Sequence, residues 1–136
     1  SVENMKEYDV RYAIHNHGPG IPYLFPTGET SWNMVKDLDV RMGLCLDVGH
    51  DFRAKANPVD SIRKFHTRIY DMHIKNVKFD PVKNRAMPMP RGDMDMWAIV
   101  KALSRCRRLC CRAMLSTSHR NGFSILSRVR SFAQSV

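Results

Sequence analysis

Short apolar runs alternate with helix-like segments along the first 103 residues of the chain. Residues 10–15, 40–46 and 68–74 are apolar over lengths that are typical of buried strands. Each run is followed by a loop and then by a segment with apolar side chains at helical spacing, in repeats of about 25 to 35 residues. This alternation predicts an α/β fold in which parallel strands form a sheet with helices packed outside it.

Proline and side chains that cap helices predict where the helices begin. Thr30 or Ser31 caps a helix that reaches Leu38, Pro58 is the first residue of a second helix, and Asp93 caps a third. The second and third helices are predicted over 58–66 and 93–103, the third with Met94, Trp97, Ile99 and Val100 inward. The remaining predictions are loops at 51–57 and 76–92, a helix end at 2–8, a strand at 109–115 and a final helix at 125–133.

Each of the three predicted strands leads into polar side chains that are able to bind a metal. His15 and His17 follow the first apolar run, Asp47 and His50 follow the second, and His73 lies at the end of the third. Because functional groups of a parallel sheet gather at the carboxyl ends of its strands, we expect these side chains to share one site.

The net charge of +9 is concentrated at the carboxyl end of the chain. Residues 104–136 contain seven Arg and no acidic residue, whereas residues 1–103 contain 15 basic and 13 acidic residues. A nearly balanced main part has no basic stripe for DNA or RNA, so no nucleic-acid partner is expected. The change in composition near Ser104 indicates an out-of-frame reading of the gene, with a genuine basic tail selected for binding as the alternative.

The remaining composition predicts a cytoplasmic protein that does not enter a membrane. No run of about 18 apolar residues is present, and the amino terminus has no signal-peptide pattern. The start at Ser1 without Met is more typical of a fragment or a processed chain than of a gene start. The cysteines form no CxxC pair and are interpreted as reduced thiols rather than as a zinc finger; they are Cys45, Cys106, Cys110 and Cys111.

Residues 8–103 resemble the xylose isomerase-like family of sugar phosphate isomerases and epimerases. The resemblance rests on four motifs in the family's order: AIHNHGP at 13–19, GLCLDVGH at 43–50, RIYDMHIKN at 68–76 and RGDMD at 91–95. The family fold is a (β/α)8 TIM barrel, so the resemblance implies a partial barrel of about four βα units with parallel strands. These are the last four units, and the first four would lie before Ser1. Residues 104–136 then form a divergent tail at the position of the last strand and helix.

The family binds a divalent metal, and the resemblance implies Mn, Zn, Mg or Co here. Asp47 matches the family's aspartate ligand, His73 matches its histidine ligand, and His15 stands where the family has its first glutamate ligand. The residues that the resemblance places against the substrate are His50, His17 and Lys75.

The implied activity is isomerisation or epimerisation of a sugar or sugar phosphate, by proton transfer through an enediolate at the metal. The chain departs from the family because it has no acidic residue after Asp95 and therefore no final glutamate ligand. It also lacks both glutamates that transfer the proton, so no catalytic residue is assigned. One alternative is a non-catalytic barrel fragment that closes its open sheet edges as a homodimer. The other is a different superfamily member: an inosose dehydratase-like, 3-keto-glycoside lyase-like or AP endonuclease-like enzyme.

Overall fold

The structure is a computed structural model that describes residues 10–20, 24–80 and 85–106, and the backbone alone of residues 113–115. Within these residues, four strands form one parallel sheet in the order β1-β2-β3-β6, and a short antiparallel hairpin lies apart from it. The elements in chain order are β1 (Tyr12–His15), α1 (Gly28–Val35), β2 (Met42–Asp47), α2 (Val48–Arg53), α3 (Pro58–Phe65), β3 (Ile69–Ile74), β4 (Asn76–Lys78), β5 (Arg85–Met87), α4 (Met96–Arg105) and β6 (Ala113–Leu115), with a 3-10 turn at Met89–Arg91.

The predicted α/β class with parallel strands is confirmed. The hydrophobic core lies between the sheet and the helices, because alternate residues of a strand point to opposite faces. Leu44 and Leu46 of β2 and Met72 of β3 are fully buried there against Val35 of α1 and Ile62 of α3. The intervening residues of the strands face the other side of the sheet, where the candidate site lies.

The side chain of Arg68 closes the amino-terminal end of the sheet. Its guanidinium donates hydrogen bonds to the carbonyl oxygens of Met42 (2.8 Å) and Val35 (2.9 Å). It also reaches the carbonyls of Leu38 and Asp39, at 3.3 and 3.0 Å. These carbonyls belong to the end of α1 and the turn into β2, so one side chain satisfies acceptors that the helix cannot pair internally.

Several predicted boundaries are wrong, and the caps explain why. The helix predicted from Thr30 or Ser31 begins at Gly28, because Thr27 accepts a hydrogen bond from the Thr30 amide and forms a capping box. The last helix begins at Met96 and is capped by Asp95, not by Asp93. Ile99 in that helix and Met94 just before it are buried as predicted, whereas Trp97 and Val100 are exposed.

Two predicted loops contain regular structure. Residues 51–57 include the end of α2, and residues 76–92 include the hairpin of β4 and β5 and the 3-10 turn. Among the described residues, none of the helices has the length and apolar character of a membrane span. The predictions at 2–8, 109–112 and 125–133 lie outside the described residues.

Candidate metal centre

Three neighbouring strands bring His15, Asp47 and His73 together at the carboxyl edge of the sheet. Asp47 is the register partner of His73, and His15 is paired with Cys45, two residues before Asp47. Asp47 Oδ2 lies 3.5 Å from His15 Nε2 and 3.7 Å from His73 Nδ1. Parallel pairing thus brings residues that are 58 positions apart in the sequence into one cluster.

The two carboxylate oxygens of Asp47 have different roles. Oδ1 accepts hydrogen bonds from the amides of Gly49 (2.9 Å) and His50 (3.0 Å), so Asp47 is the N-cap of α2. This contact fixes the rotation of the carboxylate, which is only 1% exposed. Oδ2 is thereby directed at the surrounding imidazoles, and the site obtains a fixed oxygen donor.

The remaining predicted site residues surround this carboxylate. Lys75 Nζ lies 2.7 Å from Asp47 Oδ2 and 3.3 Å from His50 Nε2. His50 Nε2 is 3.7 Å from the same oxygen, and Arg53 is 3.4 Å from the other ring nitrogen of His50. The exposed ring of His17 stacks on His50 with 4.6 Å between centroids. All six predicted residues therefore lie in one cluster, and their roles as ligands or substrate contacts stay predictions.

Burial and neighbouring charge set the protonation states in the cluster. Burial alone raises the pKa of Asp47, but its contact with His15 and the ammonium of Lys75 outweigh burial and hold this pKa well below its usual range. Burial lowers the pKa of His50 to about 4, and burial together with His15 lowers the pKa of His73. At neutral pH the Asp47 carboxylate is therefore ionised and the rings of His50 and His73 are neutral. These deprotonated forms are the ones that bind metals.

The donor types of the cluster and the distances from Asp47 Oδ2 to the two histidines suit a divalent metal. Zn–N and Zn–O bonds of about 2.0–2.2 Å place tetrahedral ligand atoms about 3.4 Å apart. The distances from Asp47 Oδ2 to His15 and His73 are close to this value. Asp47 Oδ2 and His15 Nε2 are also buried atoms that make no well-aligned hydrogen bond within the described part of the chain. Asp47 Oδ2 is ion-paired with the Lys75 ammonium at 2.7 Å, so His15 Nε2 is the atom that a metal between the two would newly satisfy.

A second donor set overlaps the first. The donor atoms of His15, Cys45 and His73 all lie within 4.8 Å of one another. Burial, together with the carboxylates of Asp71 and Asp47, raises the pKa of the Cys45 thiol to about 12. A thiol must lose its proton to bind zinc, so Asp47 is the better third donor and Cys45 the weaker one.

The sequence interpretation missed Asn16 and Asp51, which support the site from behind. The Asn16 amide accepts a hydrogen bond from the Asp47 N–H (2.7 Å) and donates one to the Asp47 carbonyl (3.2 Å). Asp51 accepts hydrogen bonds from the same amide (3.1 Å) and from the Gly28 N–H (2.7 Å). The order His15, Asn16, His17 is the sequence feature that could have identified Asn16. Neighbouring residues of an extended chain point to opposite faces, so the middle residue points away from the face that both histidines share.

The fourth strand supplies no carboxylate in its described residues. The register partner of His73 in β6 is Met114, flanked by Ala113 and Leu115. The described residues of β6 therefore contain no counterpart of the final glutamate ligand that the resemblance implies.

Comparison with known proteins identifies the fold. A family model described as xylose isomerase-like TIM barrel matches residues 2–107. Similar solved structures include mannonate dehydratase from Streptococcus suis serotype 2, with 24% identity and a TM-score of 0.63. A probable 3-DHS dehydratase, AsbF, from Bacillus anthracis has 17% identity and a TM-score of 0.68, and the IOLI protein with a bound zinc atom has 22% identity and a TM-score of 0.64.

The chain corresponds to less than half of each of these structures. The alignments cover 77%, 87% and 82% of this chain, but 33%, 47% and 42% of the mannonate dehydratase, the 3-DHS dehydratase and the IOLI protein. No curated protein sequence matches the chain significantly. The predicted partial TIM barrel is confirmed at the level of the fold.

Proposed function

This chain belongs to the xylose isomerase-like TIM barrel family, and from that premise we propose that it binds a divalent metal and belongs to a sugar isomerase or epimerase. The observation that carries the proposal is the orientation of Asp47. Its Oδ2 is buried, ionised and surrounded by three imidazoles within 3.7 Å. An aspartate that served only as a helix N-cap would not need its second carboxylate oxygen to be buried.

The proposed ligands are Asp47, His73 and His15, with Zn²⁺ the best match among Zn, Mn, Co and Mg. Two imidazoles and one carboxylate favour zinc or another transition metal over the harder magnesium ion. The IOLI structure, which has a similar fold, contains zinc. When bound, such a metal polarises a sugar carbonyl and acidifies the adjacent C–H bond.

The other polar residues of the cluster are suited to hold a sugar or sugar phosphate. His50 remains neutral at physiological pH and offers a ring nitrogen to a hydroxyl group, and the exposed His17 stacks on it. Lys75 supplies a positive charge for a hydroxyl or a phosphate oxygen. No residue is assigned as the base, because the carboxylates of the described cluster are Asp47, which caps α2, and Asp71, which bonds its neighbouring amide.

Metal analysis of the purified chain tests the proposal. The wild type is expected to retain close to one equivalent of metal after dialysis against Zn²⁺, and Asp47→Ala and His73→Ala are expected to lose it. His66→Ala is the matched control, because His66 bonds only the Arg63 carbonyl at a distance from the cluster. Equal metal content in all four proteins would refute the site.

Self-association is a second candidate function, because one sheet edge is uncovered in the described residues. β1 pairs only with β2, and its neighbourhood exposes apolar side chains: Tyr12 is 55% and Val10 45% exposed. A homodimer that covers this edge would remove an aggregation hazard. Light scattering after size exclusion tests it, and a well-folded monomer at high concentration would count against it.

A further inference from the structure

The ammonium group of Lys75 is the cation nearest to the proposed ligand oxygen. Lys75 Nζ is 2.7 Å from Asp47 Oδ2, whereas the imidazole nitrogens are 3.5 to 3.7 Å away. An ionised buried carboxylate needs a positive partner, and in this arrangement Lys75 provides it. The same oxygen is the one that the geometry offers to a metal.

The surrounding chain is shaped to hold Lys75 in this place. A Cβ atom on Gly49 would lie 2.6 Å from both Cγ and Cε of Lys75, so only glycine lets the lysine stem cross the start of α2. The ammonium makes a second contact with His50 Nε2 at 3.3 Å. The Lys75 side chain is consequently 16% exposed, although lysine is usually a solvated residue.

A divalent ion and this ammonium would compete for one carboxylate oxygen. The two positive charges would be direct neighbours in a site that is largely shielded from water, where like charges repel strongly. Lysine has a long flexible stem, so its ammonium is able to move whereas the capping carboxylate is fixed. Binding of a metal at Asp47 Oδ2 is therefore expected to displace the ammonium.

We propose that Lys75 is a positioning residue that holds Asp47 Oδ2 in the metal-free protein and is displaced when a divalent metal binds. The inference rests on the proposed metal function and adds an order of events to it. Before loading, the Lys75 ammonium occupies Asp47 Oδ2. The displaced ammonium then faces the substrate side of the cluster, so Lys75 becomes available to a sugar oxygen or phosphate only after the metal is bound.

The test is the Zn²⁺ affinity of the tag-free chain, measured by competition with a chromophoric chelator at one pH and ionic strength. Lys75→Met removes the competing charge and is expected to bind Zn²⁺ at least about tenfold more tightly than the wild type. A residue with a merely structural role would weaken binding when replaced. Lys78→Met is the matched control, because Lys78 is exposed on β4, and its affinity should stay within about twofold of the wild type.

The outcomes separate this inference from the metal site itself. If the wild type binds Zn²⁺ and Lys75→Met binds equally or less tightly, the inference is overturned and the metal site stands. If neither protein binds Zn²⁺, the proposed metal function fails and the inference fails with it. Lys75→Gln repeats the test if the methionine variant does not fold. A crystal structure of the zinc-loaded wild type gives an independent result: a retained contact between Lys75 Nζ and Asp47 overturns the inference.

Discussion

The polar atoms at the two ends of the parallel sheet differ in how they are hydrogen-bonded. At the amino-terminal end, the Arg68 guanidinium satisfies four backbone carbonyls and the Tyr70 hydroxyl donates to the Val40 carbonyl. At the carboxyl end, Asp47 Oδ2 and His15 Nε2 are buried without a well-aligned hydrogen bond among the described residues. One end pairs its acceptors through fixed hydrogen bonds, whereas at the other end Asp47 Oδ2 is held by an ion pair with Lys75 and His15 Nε2 has no hydrogen-bond partner in the described residues.

This difference supports the proposal that the carboxyl end of the sheet binds a ligand. Unsatisfied polar atoms and crowded rings are tolerated where a ligand repays their cost, and barrel enzymes place such sites at the carboxyl ends of strands. Gly43 shows the opposite requirement at the amino end: a Cβ there would overlap the Arg68 carbonyl and the Tyr70 ring. Close backbone packing at that end leaves no room for a ligand.

The largest expected effect is on stability at the amino end. Replacing Arg68 with Met removes the hydrogen bonds to four carbonyls and is expected to lower the free energy of unfolding by about 3 kcal/mol, discounted for partial exposure. Zn²⁺ affinity should not change. Urea denaturation and metal titration measure the two quantities, with the exposed Arg63→Met as the control. A loss of metal affinity would show that the two ends are coupled.

Asn16 lies at the carboxyl end of the sheet, and both polar atoms of its side-chain amide are hydrogen-bonded. Its removal should therefore lower both the free energy of unfolding and the Zn²⁺ affinity. Asn16→Ala leaves the buried Asp47 N–H without its acceptor and is expected to cost about 2 kcal/mol of stability. Zn²⁺ binding should weaken as well, because the strand end that carries Asp47 is no longer fixed. Asn33→Ala, at an exposed position of α1, is the control. Unchanged metal binding would limit Asn16 to a structural role.

The carboxyl end should also make stability depend on pH. The pKa of His50 is lowered to about 4 in the folded chain, whereas an unfolded histidine titrates near 6.5. The unfolded state therefore binds more protons between these values, and stability falls as pH falls through this window. Between pH 6.5 and 5, His50 should account for about 1.5 kcal/mol of this loss.

Chemical denaturation of the metal-free protein across this pH range measures the effect. His50→Gln should show a shallower slope than the wild type, and the difference isolates His50 from the other titrating groups. Parallel slopes for the two proteins would contradict the prediction.

The smallest expected effect distinguishes the two overlapping donor sets. Cys45→Ser should change Zn²⁺ affinity by no more than about threefold, because a thiol with a pKa of about 12 is a poor zinc donor beside an ionised carboxylate. A loss as large as that of His73→Ala would instead identify Cys45 as a ligand. Chelator competition at a single pH is sufficient for this comparison.

The strands and the clustering of site residues could be predicted from sequence because both follow from simple rules. Apolar runs located β2 and β3 to within two residues of their observed starts, and parallel pairing required Asp47 and His73 to meet. The short helix α2 was missed because a glycine two residues after an aspartate, as Gly49 follows Asp47, is typical of a turn. Only the structure shows that the Asp47 side chain caps this segment.

Contacts between distant residues account for the other omissions. Asn16 and Asp51 are 35 residues apart, and their hydrogen bond exists only after β1 has paired with β2. The ion pair of Lys75 with Asp47 similarly requires the stem to cross Gly49 on a neighbouring element. The pattern along the chain indicates which residues share one edge of the sheet, but not which of them form a particular hydrogen bond or ion pair.

The two carboxylate oxygens of Asp47 have different partners, and this limits which substitutions the site can accept. Its Oδ1 holds the first amides of α2 while Oδ2 faces the cluster, so one short side chain serves two functions at a fixed separation. A glutamate is one methylene longer and could not keep both contacts without moving the strand or the helix. Engineering for a different metal should therefore vary His15 or Cys45 and leave Asp47 in place.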